Sequence, residues 1–92
     1  MSDDASVPRE TPPVSFSQFM VSLGSSALVH LGEVADPGTG ERNVDLTLAR
    51  HTIDVIALIQ EKTKGNLDTD EERLVDALLF DLRTKYLDAS KK

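Results

Sequence analysis

Cysteine and tryptophan are absent from the 92-residue sequence, and aromatic residues make up only 4% of it. Without cysteine, neither a disulfide framework nor a thiolate metal site can hold the fold, and a reducing, cytoplasmic setting is the expectation. The start Met-Ser-Asp-Asp lacks a basic region followed by an apolar core, so no secretion signal is expected. Positive charge is also scarce. Ten Lys and Arg face sixteen Asp and Glu, for a net charge of -6. That balance argues against nucleic acid as a partner, because affinity for phosphate backbones comes from Lys and Arg neutralising them. Where electrostatics helps select a partner, the partner should offer positive charge. Long apolar runs are missing as well. A span needs about 20 predominantly apolar residues, and the best candidate, 14–32, holds five serines, a Gln, a His and the internal Gly24. No membrane insertion is expected. Nothing alternates with period two, which excludes a half-buried strand, and no unit recurs along the chain. A P-loop, a nucleophile elbow, a glycine-rich nucleotide fingerprint and an EF-hand loop are all lacking.

What is present begins with a charge-free interval: from Thr11 to Gly32 no Asp, Glu, Lys or Arg occurs. In so charged a chain, this interval predicts a helix over 15–32 that is covered on more than one face. Ser15 with Gln18 reads as a capping box, and Val14 with Phe19 as a hydrophobic staple. Gly32 supplies a left-handed C-terminal cap. Phe16, Phe19, Met20, Leu23, Ala27 and Leu31 form the main apolar stripe, with Val21, Leu28 and Val29 on the other side. Gly24-Ser-Ser-Ala27 is a smooth patch that another backbone can approach, within the chain or from a partner.

Three of the four prolines stand at 8, 12 and 13, among Ser, Asp, Glu and Thr, so residues 1–13 read as a disordered N-terminal arm. After the first helix, Asp36-Pro-Gly38 and Gly40 mark a loop. Asp45 or Asn43 then caps a second helix over 45–64, with Leu46, Ala49, Ile53, Ile56 and Gln60 facing inward and Leu48, Val55, Leu58 and Ile59 widening the apolar surface. Gly65-Asn66 makes a tight hairpin turn. A third helix runs over 69–87, opening at Asp68 or Thr69, with Thr69 and Glu72 as a capping box. Its spacing is set by Leu74, Ala77 or Leu78, Phe80 or Asp81, Leu82 and Tyr86, with Val75, Leu79 and Leu87 alongside. Residues 89–92 are expected to fray. The expected architecture is an all-α, three-helix antiparallel interaction domain over 14–88. So short a core leaves little surplus over the entropy of ordering the chain, which leaves room for a homo-oligomer or a tight partner.

Two histidines are the only acid-base candidates near neutral pH. His30 in the last turn of the first helix and His51 on the second both read as ordinary polar-face residues, since no motif supplies a partner or pocket. No ligand spacing marks a metal site, and no cofactor is expected. The acidic cluster Asp68, Asp70, Glu71, Glu72 and Asp76 reads mostly as helix N-terminal chemistry, with a negatively charged docking surface as the functional alternative.

Phe16-Ser-Gln-Phe-Met-Val-Ser-Leu-Gly-Ser-Ser-Ala-Leu-Val-His-Leu-Gly-Glu33, Asn43-Val-Asp-Leu-Thr-Leu-Ala-Arg-His-Thr-Ile-Asp54 and Glu61-Lys-Thr-Lys-Gly-Asn-Leu67 together resemble a family of short bacterial helical proteins catalogued as a domain of unknown function. The resemblance extends from Phe16 to Tyr86. It implies a non-catalytic subunit of a guanine-nucleotide exchange complex in cell polarity and motility. The implied partners are a Ras-like small GTPase and a response-regulator-like co-partner, and the implied location is a cell pole. It carries over no catalytic residue. The candidate contact residues from the chain itself are Phe16, Phe19, Met20 and Leu23 on the first helix and Asp70, Glu71 and Glu72 on the third. Two alternatives stand beside this reading: a structural homodimer or adaptor without exchange activity, and a small enzyme dependent on His30 or His51.

Overall fold

The structure is a computed structural model that describes residues 13–91. Three helices follow one another: α1 (Phe16–His30), α2 (Leu46–Lys62) and α3 (Thr69–Ser90). Each packs against both of the others. Apart from Pro13, the arm expected over 1–13 lies outside the described residues.

The Ser15 hydroxyl accepts a hydrogen bond from the Gln18 amide at 3.0 Å, which starts α1 one residue later than the cap itself. The staple expected beside it does not form. Val14 is 98% exposed and Phe19 is 49% exposed, because Phe19 lies on a flank of α1 that neither neighbouring helix covers. At the other end the amide of Gly32 donates to Val29 O and that of Glu33 to Leu28 O, with Gly32 at φ +78°. These are the paired bonds of a Schellman cap. A Cβ on Gly32 would also sit 2.8 Å from Val44 Cγ2, so glycine is needed there on two counts.

The connecting loop is built around Asp36. Its carboxylate accepts from the Gly38 amide at 2.6 Å, and its carbonyl from the Gly40 amide at 2.7 Å. The chain returns so that the Asp45 amide donates to His30 O at 2.7 Å, pinning the start of α2 to the end of α1. Asp45, the N-cap, then receives the Leu48 amide at 3.0 Å. α2 ends at Lys62 rather than 64, where the Thr63 hydroxyl bonds Ile59 O and Gly65 turns with φ +88°.

The capping box of α3 is shifted by one residue from the expected Thr69 and Glu72. The Asp68 carboxylate takes the Glu71 amide at 2.8 Å, and the Glu71 carboxylate takes the Asp68 amide at 2.9 Å. An aspartate caps better than a threonine, and its charge adds to the dipole term. Nothing in the sequence stops α3 at 87, and it continues to Ser90 with Ala89 half-buried against the core.

The core is Met20, Ala27 and Leu31 from α1, Ala49, Ile53 and Ile56 from α2, and Val75, Leu79 and Leu82 from α3. Thr52 is buried among them, its hydroxyl satisfied by Leu48 O at 3.0 Å. On α3 the buried stripe is narrower than the sequence suggests. Phe80 is 75% exposed and Leu87 56% exposed, so both belong to the surface. Gly24 is buried against the Leu78 side chain of α3. A Cβ there would lie 2.9 Å from Leu78 Cδ1, so Gly24 makes room for a side chain of the same chain, while Ser25 and Ser26 of the smooth patch are exposed.

Candidate functional site

Two fixed points orient the helices. Gly24 meets Leu78, which places α3 on one flank of α1. The Gln60 amide nitrogen donates to Asp76 Oδ1 at 2.7 Å, which places α3 on the Gln60 flank of α2. The flanks turned away from α3 therefore border the seam between α1 and α2. On α1 this flank carries Phe19, Leu23 and Ser26, and on α2 it carries Leu48, Thr52, Val55 and Ile59, each set at the i, i+4, i+7 spacing of one helical face. No Asp, Glu, Lys or Arg occurs in either set.

Leu48 is 46% exposed at the end of the seam where Asp45 meets His30, Phe19 is exposed toward the other end, and Leu23, Val55 and Ile59 are half-buried. Ser22, Ser25 and Ser26 are exposed, and Val21 opens on the opposite flank of α1. The charge-free helix is covered by both α2 and α3, on adjoining faces. The rest of α1 presents uncharged, partly apolar surface to solvent. Uncharged surface of this kind can be dehydrated by a partner at little electrostatic cost, whereas stripping water from an unpaired charge is expensive.

Of the four contact residues expected on α1, Phe19 is well exposed, Phe16 and Leu23 are half-buried, and Met20 is fully buried. Met20 points into the core at the stripe's centre, so a partner cannot touch it in the folded chain. Leu48, Val55 and Ile59, which widen the apolar surface of the second helix in the sequence, join this surface. Their spacing was legible, but the side of α2 left open by α3 was not.

The acidic residues behave differently from one another. Glu71 is held in the capping box, Asp76 accepts from Gln60, and Asp70 and Glu72 are exposed without a hydrogen bond or ion pair among the described residues. Of these four, only Glu71 is therefore tied to the helix start, whereas Asp70 and Glu72 are free, and the exposed Asp76 keeps Oδ2 open beside its bond from Gln60. Lys85 is raised above the ordinary lysine range, chiefly by its hydrogen bond to Asp81 at 2.6 Å, with Glu33 at the end of α1 adding to it.

His51 is exposed on α2. His30 is half-buried beside a shallow cleft with Ser26, Asp36 and Pro37. Neither imidazole hydrogen-bonds a carboxylate among the described residues, and no group of three potential metal ligands forms there. Among the same residues no helix is long and apolar enough to cross a membrane.

The family described as a domain of unknown function, DUF1844, matches residues 13–88, which takes in α1, α2 and all but the last two residues of α3. The chain belongs to that family, as the three motifs on α1, α2 and the α2–α3 turn led one to expect. No characterised protein and no solved structure matches the chain.

Proposed function

We propose that this DUF1844 domain is a non-catalytic protein-protein interaction subunit of a guanine-nucleotide exchange complex acting on a Ras-like small GTPase. The observation that carries the interaction role is the uncharged surface along the α1–α2 seam, with Phe19 and Leu48 exposed at its edges. The GTPase assignment rests on the sequence resemblance, which within the family points toward the polarity protein RomX. In that role the chain works beside a response-regulator-like co-partner at a cell pole.

Exchange promoted by contact needs preferential binding to the nucleotide-free GTPase, since a ligand shifts an equilibrium only through its differential affinity for the two states. Each tenfold difference in affinity corresponds to about 1.4 kcal/mol. Two surfaces could supply it. The uncharged face could hold a switch segment open, or the acidic start of α3 could compete with nucleotide phosphates for a basic phosphate-binding loop. The first has the stronger support, because the carboxylate of Glu71 is committed to the helix cap, whereas the α1–α2 face carries no charge to strip of water.

The test is release of a fluorescent guanine nucleotide from the GTPase, with and without this chain and its co-partner. Phe19→Asp should abolish any stimulation, and the pair Asp70→Lys, Glu72→Lys should leave it intact. The reverse pattern would move the contact to α3. No stimulation in any combination would leave the adaptor without exchange activity as the function.

A further inference from the structure

The seam between α2 and α3 carries a second surface, on the opposite side of α2 from the one just described. Two concavities open along it, of about 400 and 320 Å³. The first is bordered by Glu61, Glu72 and Asp76 with Lys64 as its only cation, and the second by Arg50 and Arg83 with Asp54 as its only carboxylate. One end of the seam is therefore net negative and the other net positive. Between them stand Leu58 and Phe80, both largely exposed. The Arg50–Asp54 contact is long, at 3.9 Å, between side chains that are mostly in water, so it ties up little of the Arg50 charge. Arg83 has no ion-pair partner among the described residues.

α2 and α3 run antiparallel, since Gln60 meets Asp76 at one end while Arg50 and Leu87 border one concavity at the other. A two-fold axis across the seam at the level of Phe80 would reverse its direction and lay the basic end of one copy on the acidic end of the next. On α3, Arg83 stands three residues after Phe80 and Asp76 four before it, so each Arg83 would face the other copy's Asp76. Leu58 and Phe80 of both copies would meet at the axis. An isologous contact requires this kind of self-complementarity, with each patch matching its own inverted image.

We propose that a second copy of this chain docks antiparallel on the α2–α3 seam, with Phe80 at the two-fold axis and Arg83 against Asp76 in both directions. The net charge of -6 opposes self-association over most of the surface, and this seam is where opposite signs and exposed apolar groups coincide. The α1–α2 surface stays open in such a dimer.

Sedimentation or light scattering across a concentration series tests this on the full chain, with circular dichroism confirming the fold of every variant. The wild type should dimerise, and Phe80→Ser should be monomeric with an unchanged helical signal. R83E and D76R should each weaken self-association by at least about tenfold. An equimolar mixture of the two should recover dimers, because every cross-copy pair then joins opposite charges. A wild type that stays monomeric throughout would overturn the proposal. So would dimers that survive Phe80→Ser, or a mixture that associates no better than its components.

Discussion

Gly24 makes room on α1 for the Leu78 side chain of α3. Any side chain there meets Leu78, beginning at 2.9 Å for the first carbon. Replacing it with Val forces that contact apart, with an expected cost of about 2 kcal/mol in a denaturant or thermal melt. The sequence marked this place as smooth, and small residues are legible as such. The neighbour that fills the space is not, because it sits on a helix more than fifty positions away. Met20 shows a similar limit. Its position in the apolar stripe was plain, yet the stripe alone did not separate the residue at its centre from those at its margins. Met20→Ala should cost about 3 kcal/mol, whereas Phe19→Asp, at the exposed margin, should leave the melting temperature nearly unchanged.

The helices themselves were readable from their caps and periodicity, since Ser15, Asp45 and the left-handed Gly32 and Gly65 leave few alternatives. The start of α3 was less determinate, because Asp68-Thr-Asp-Glu-Glu72 offers two overlapping capping boxes. Asp68→Ala should destabilise the protein by about 1 kcal/mol, and Thr69→Ala by far less, in paired thermal melts. Equal losses would restore the Thr69 box. The surface of α3 was the least legible. Phe80 adjoins the core residue Leu79 and Leu87 adjoins Tyr86, which packs against the core, and helical spacing alone cannot say which side of a broad apolar arc is closed by only two neighbouring helices.

As a whole, the molecule closes a small core and leaves two different faces open. The α1–α2 seam is uncharged, and the α2–α3 seam carries opposite charges at its two ends. A domain with such faces on separate seams is suited to joining copies of itself on one side and a different protein on the other. Length and composition indicated a domain with little stability to spare, but only the packing of α2 between its neighbours shows that its two flanks lead to separate surfaces.

The absence of cysteine allows the uncharged face to be probed by one introduced thiol. In Ser22→Cys the thiol would stand on the exposed side of α1, and its alkylation rate can be followed in the free chain and with GTPase and co-partner bound. Burial of this face predicts that alkylation slows by at least about tenfold on assembly, while a thiol at Thr84, on the outer side of α3, reacts as before. Equal alkylation of Ser22→Cys in the free and assembled forms would contradict the assignment of α1 as the partner surface.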